Sequence, residues 1–145
     1  MLYGREILGL PVYTMEKKIL GTVKNYEADQ SGVLESLIIT THGMLSKDFR
    51  IPAQQIASVS LKGVFIKDKK VLQKAPKNIN STSFVGAGVY DKTGNCIGNI
   101  SDIMVENAHI CAVELSKGVY DDLCSGRQKI NFENLRQSEN GFTCE

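Results

Sequence analysis

Tryptophan is absent from the 145 residues, histidine occurs twice and proline three times. Without tryptophan, and with five tyrosines and five phenylalanines, the chain has few ring faces on which an unpaired nucleic acid strand could stack. His42 and His109 stand apart from any cysteine at ligand spacing, and Cys96, Cys111, Cys124 and Cys144 form no C-x-x-C pair. A turn that presents two ligands to zinc is therefore missing, and neither a metal site nor a structural disulfide is expected. Cys96 and Cys111 alternate with apolar neighbours and read as small core side chains in the reduced state. No apolar run approaches the roughly 18–20 residues that span a bilayer. The first eleven residues lack a basic stretch followed by a long apolar one, so no signal peptide and a cytoplasmic location are expected. An excess of one charge is missing too, because 17 Lys and Arg face 16 Asp and Glu. That balance excludes the strongly basic footprint of a whole-molecule nucleic acid binder.

The balance hides an asymmetry. Residues 1–80 hold twelve Lys or Arg against seven Asp or Glu, and residues 81–145 hold five against nine. The basic excess is densest at Lys62, Lys67, Lys69, Lys70, Lys74 and Lys77. Lys67, Lys69, Lys70 and Lys74 are the candidate binding residues, since such a run steers an acidic partner or a phosphate backbone. Lysines also guard exposed sheet edges, which is the plainer reading of the same run. Thirteen lysines against four arginines fit a bacterial source with an AT-rich genome.

No catalytic constellation is evident. Asp121 and Asp122 are adjacent and would point to opposite faces of a strand. Ser46, Ser116 and Ser125 have no nearby histidine to serve as base. Gly86-Ala87-Gly88 leads into a strand pattern, not into a helix whose first amides could hold a phosphate. No enzyme activity, catalytic residue or cofactor is expected.

What is present is a repeat. Leu10-Pro11-Val12-Tyr13 and Leu20-Gly21-Thr22-Val23 recur 77 residues later as Ala87-Gly88-Val89-Tyr90 and Ile97-Gly98-Asn99-Ile100. With small slips, Val33–Ile39 corresponds to His109–Leu115, Ile51–Ile56 to Ile130–Leu135, and Gly63–Ile66 to Gly141–Cys144. Five segments in one order indicate a duplication. Each copy reads as short strands broken by glycine and by polar turns such as Asp29-Gln30-Ser31-Gly32 and Asp91-Lys92-Thr93-Gly94-Asn95. Single helical turns are expected near Ala53–Gln55, near Phe132–Asn134 and around Tyr120–Ser125. Phe65 is expected to be buried among its apolar neighbours. Tyr13 and Tyr90, at equivalent places, are expected to pack near the first strand of each copy. The expected architecture is all-β: two tandem small barrels, residues 1–72 and 84–145, joined by a polar linker at 73–83.

Leu8-Gly9-Leu10-Pro11-Val12-Tyr13, Leu20-Gly21-Thr22-Val23 and Arg50-Ile51-Pro52 with Ile56 resemble the PRC-barrel domain. That domain occurs in the H subunit of the photosynthetic reaction centre and in the ribosome maturation factor. The second copy departs from the pattern with Gly88 in place of Pro11 and Asn131 in place of Pro52. The resemblance implies a non-enzymatic docking or adaptor module with a protein partner and no membrane span. Opposite charge on the two halves suits contact between them or homo-oligomer formation. The alternatives are an RNA- or ribosome-associated module using the basic first half, and a small-molecule or metal-binding regulator.

Overall fold

The computed structural model describes residues 1–43, 45–68, 70, 72–75, 84–118, 122–124, 126–138 and 141–144. The chain forms two compact units, one of Leu2 with Gly4–Thr82 and the other of Met1 and Tyr3 with Ser83–Glu145. Both are all-β apart from short helical turns.

In the N-terminal unit a four-residue helix, α1 (Gly4–Ile7), precedes strands β2 (Pro11–Thr14), β3 (Ile19–Ala28), β4 (Leu34–Thr41), β5 (Asp48–Pro52), β6 (Ile56–Ser60), β7 (Gly63–Ile66) and β8 (Gln73–Lys74). They form one sheet in the order β6-β7-β2-β3-β4-β5-β8. All pairs are antiparallel except β2 with β7, where Val12, Tyr13 and Thr14 lie beside Val64, Phe65 and Ile66. A 3-10 turn at Ala53–Gln55 joins β5 to β6, although five strand spacings separate them in the sheet. A flat sheet would put those strands about 24 Å apart, at roughly 4.8 Å per strand. The four residue steps from Pro52 to Ile56 reach no more than about 14 Å. The sheet must therefore roll up, and its concave side encloses Val12, Val23, Leu37, Ile39, Ile51, Val64 and Ile66, all buried.

The C-terminal unit contains β9 (Gly88–Tyr90), β10 (Cys96–Glu106), β11 (His109–Ser116), β12 (Gln128–Asn131), β13 (Leu135–Ser138) and β14 (Gly141–Cys144), with a 3-10 turn at Phe132–Asn134 between β12 and β13. The sheet order is β12-β11-β10-β9-β14-β13, and the short strand β1 (Leu2–Tyr3) adds to β10. Six strands follow the order of the other unit, β13-β14-β9-β10-β11-β12 against β6-β7-β2-β3-β4-β5, and β9 pairs with β14 in parallel as β2 does with β7. Its core holds Phe84, Val89, Ile100, Ile103, Val113, Leu115, Ile130 and Phe142. Phe84 stacks on Phe142 at 5.5 Å and meets Phe132 edge-on at 5.7 Å.

Equivalent hydrogen bonds recur 77 residues later. The Gly9 amide donates to the Val23 carbonyl at 2.8 Å, and the Val23 amide to the Leu10 carbonyl at 2.9 Å. The Gly86 amide donates to Ile100 at 2.7 Å, and the Ile100 amide to Ala87 at 2.8 Å. The glycines that open the last strands have a shared cause. Gly63 (φ +143°) and Gly141 (φ +142°) adopt a backbone that side chains resist, and a Cβ at either would run into the carbonyl of Pro11 or of Gly88. Each glycine lets the parallel strand approach β2 or β9 closely.

The turn read at Asp29–Gly32 and the one read at Asp91–Asn95 have one geometry. Asp29 Oδ1 accepts from the Ser31 amide (2.9 Å), the Ser31 hydroxyl (2.7 Å) and the Val33 amide (2.9 Å). Asp91 Oδ1 does the same with Thr93 and Asn95. The Val33 amide first, with the Ser31 hydroxyl, holds the Asp29 carboxyl below its usual range; the Thr93 hydroxyl first, with the Asn95 amide, does so for Asp91.

Several details differ from the sequence reading. The segment expected as a linker from 73 begins with β8, which pairs with β5; its remainder, 76–83, with Lys77, lies outside the described residues. Cys96 is exposed because β10 starts there, directly after the turn, and Cys111 is half-buried, its thiol 3.3 Å from the Met104 carbonyl. Phe65 is half-buried and stacks on Tyr13 at 5.3 Å, because β2 and β7 run side by side. A helical turn occupies 122–124, while Tyr120, Asp121 and Ser125 lie outside the described residues.

Candidate functional surface

The charged side chains sort into those consumed by the fold and those left at the surface. Glu27 on β3 is 4% exposed. Its carboxylate accepts from Arg50 Nε at 2.6 Å, from Arg50 Nη2 at 2.8 Å and from the Ser36 hydroxyl at 2.5 Å. The pairing register explains the meeting: Glu27 lies opposite Ser36, and Arg50 lies one strand further, opposite Ile38. Burial by itself would raise the Glu27 carboxyl, but the Arg50 and Ser36 hydrogen bonds outweigh it and hold the group below its ordinary value. On the same sheet Asp48 accepts from Lys24 Nζ at 2.6 Å and from the Thr40 hydroxyl at 2.8 Å, and those bonds, Lys24 first, lower its carboxyl.

The C-terminal unit places other residues at these points. Met104 lies opposite Ala112, and Lys129 opposite Glu114, where the first unit has Glu27 with Ser36 and Arg50 with Ile38. Glu114 is buried and accepts from Arg127 Nη1 at 3.2 Å. Arg127 Nε reaches Asp122 at 3.2 Å, and Asp122 accepts from the Ser116 hydroxyl at 2.7 Å. The Ser116 bond is the main reason the Asp122 carboxyl sits below its usual range. These groups are bonded to one another in ways that set strand and loop positions. No three His, Cys, Asp or Glu side chains among the described residues gather as a metal site would require. An open groove of about 740 Å³ runs along Cys96, Ile97, Gly98, Asn99, Ser116, Lys117 and Gly118.

Of the candidate lysines, the structure brings Lys67, Lys70 and Lys74 to one end of the N-terminal unit, in separate surroundings. Lys67 is exposed, and its Nζ donates to the Gln54 carbonyl at 2.8 Å. Lys70 is exposed, with its main-chain amide on Asp68 Oδ1 at 3.0 Å. Lys74 lies on β8 opposite Phe49. Lys69 lies outside the described residues. Because β7 runs parallel to β2 with Ile66 beside Thr14, the chain leaves β7 next to the β2–β3 turn. That turn carries Lys17 and Lys18, and the neighbouring β4–β5 loop carries Lys47, all three exposed. No sequence run joins Lys17, Lys18 and Lys47 to the later lysines; only the topology does. The Glu27–Ser36–Arg50 cluster was hidden in the same way, since its members lie 9 and 23 residues apart.

No helix among the described residues is long and apolar enough to cross a membrane. Comparison with curated proteins gave no match. A family model, that of the PRC-barrel domain, matches residues 1–77.

Proposed function

The chain belongs to the PRC-barrel domain family, and on that premise we propose that it is a docking module without catalytic activity, which joins a protein partner to an assembly in the cytoplasm. We read its two units, with their common strand order, as a tandem duplication of one barrel. The observation that carries the docking reading is the outer strand β6. Ala57, Ser58, Val59 and Ser60 are all exposed, although successive strand residues point to opposite faces. Neither face of this stretch is covered, and among the described residues β6 pairs on one side only, with β7. An extended segment of a partner can add there through main-chain hydrogen bonds, with Val59 and the following Leu61 (66% exposed) as apolar contacts. The equivalent strand β13 carries Arg136, a charge that discourages such pairing.

The test is co-purification with the tagged full chain under native conditions. One reproducible protein should be recovered, and Val59→Pro, which removes the main-chain donor that points away from β7, should lose it. Recovery of no reproducible protein, or of one indifferent to Val59→Pro, would dismiss this reading. An RNA-associated role has the lysines in its favour. Against it, Tyr13 and Phe65, the stacked pair on β2 and β7, turn their ring faces on each other instead of offering them to bases. A small-molecule regulator would use the groove beside Cys96, and native mass spectrometry of fresh protein giving only the bare mass would dismiss it.

A further inference from the structure

The end of the N-terminal unit that gathers the lysines also exposes apolar side chains at its tips. Met15, in the β2–β3 turn, is 61% exposed, and Ile19, where β3 begins, is 54% exposed. Leu45, in the β4–β5 loop, is 83% exposed, the highest value among the large apolar side chains described. The two tips are tied side by side, because the His42 amide donates to the Leu20 carbonyl at 3.1 Å and the Thr41 amide to the Lys47 carbonyl at 2.9 Å. Around them stand Lys17, Lys18, Lys47, Lys67, Lys70 and Lys74, all exposed. The acidic groups at this end are fewer: Glu16 and Asp68 are exposed, and Asp48 is already neutralised by Lys24.

We propose that this end docks on the surface of an anionic phospholipid bilayer, with Met15, Ile19 and Leu45 in the interfacial layer and the lysines over the headgroups. Isolated aliphatic side chains on neighbouring tips, ringed by flexible cations, need no matching pockets in what they enter, only a fluid apolar layer beneath negative charge. A protein partner would have to supply a pocket for each tip. A nucleic acid would gain nothing from exposed Met, Ile and Leu. Although the β11–β12 loop of the C-terminal unit exposes Leu123 (82%), its turn Asp91-Lys92-Thr93-Gly94-Asn95, which corresponds to the β2–β3 turn, has no apolar residue and provides an internal control.

The experiment is co-sedimentation of the full chain with vesicles of phosphatidylcholine alone, or with about a third phosphatidylglycerol, at low and moderate salt. The chain should sediment with the anionic vesicles only, and less as salt rises. Leu45→Asp with Met15→Asp, and separately Lys17→Glu with Lys18→Glu, should each weaken binding by about tenfold or more. Lys92→Glu should leave it unchanged. Both tips are exposed, so the thermal melt should not move in any variant. No sedimentation with anionic vesicles overturns the proposal. So does binding that ignores the Leu45 and Met15 changes, or tighter binding to polyuridylate in the same buffer that is lost only with the lysines, which would make this end a nucleic acid site.

Discussion

Glu27→Gln keeps nearly the volume of the side chain and removes its charge. In the folded protein the carboxylate accepts three hydrogen bonds at 2.5–2.8 Å, two of them from one guanidinium. An amide can satisfy one Arg50 donor and the Ser36 hydroxyl, but its own NH₂ group then faces the second donor. Hydrogen bonds to a charged group contribute about 1.5–3 kcal/mol, and removing one partner of a fully buried ion pair costs about 3–5 kcal/mol. The Arg50 side chain is 31% exposed, so its guanidinium can still find water, which favours the lower end of that range. The expected loss is about 2–3 kcal/mol, read from urea unfolding followed by circular dichroism. The C-terminal unit suggests the companion variant. Glu27→Met with Ser36→Ala and Arg50→Lys installs the residues found at Met104, Ala112 and Lys129. It should be more stable than Glu27→Gln and within about 1 kcal/mol of the parent, because no buried charge is left unpaired. The pH dependence follows in sign. The folded Glu27 carboxyl lies below its unfolded value, so its contribution is complete above the unfolded pKa and is lost as pH falls through the folded one. The gap between parent and Glu27→Gln should hold above the ordinary carboxyl range, at about pH 5, and narrow as the pH falls below that range. A change under about 0.5 kcal/mol for Glu27→Gln, or a gap that widens in acid, would refute the reasoning.

Gly63→Ala should destabilise by more than about 2 kcal/mol, since it combines a left-handed backbone with a collision at the Pro11 carbonyl; Gly9→Ala, with open space at its Cβ, should cost about 1 kcal/mol, and equal losses in thermal melts would be wrong. Ile39→Ala, fully buried between β3 and β5, should lose about 2–5 kcal/mol in the same urea assay. Thiol labelling of the native protein should show Cys96 and Cys124 reacting promptly and Cys111 and Cys144 slowly, all four becoming reactive in denaturant; uniform rates would contradict their placement.

The strand content and the turns were legible because they rest on local chemistry. Gly-Leu-Pro, Asp-x-Ser-Gly and Asp-x-Thr-Gly dictate backbone shape within a few residues, and the single turns at Ala53–Gln55 and Phe132–Asn134 lie where the strand patterns stop. The sequence likeness between the halves added long-range information, since Gly9 and Gly86, 77 residues apart, make the same main-chain bonds. Pairing between distant strands was not legible. β8 looked like polar linker because a two-residue strand has no periodicity to read. Arg50 looked like a solvated charge until the β4–β5 register set it beside Glu27. The lysines of residues 67–74 read as one run, whereas the parallel β2–β7 pair joins Lys67 and Lys70 to the β2–β3 turn.

The parallel pair is also the most demanding test of two sheets with a common strand order, since it links strands about fifty residues apart in each half. Interstrand contacts measured by NMR on the full chain should join Val12 to Val64 and, equally, Val89 to Phe142. A second half in which β9 and β14 do not meet, or in which residues 84–144 give helical contacts, would contradict the account.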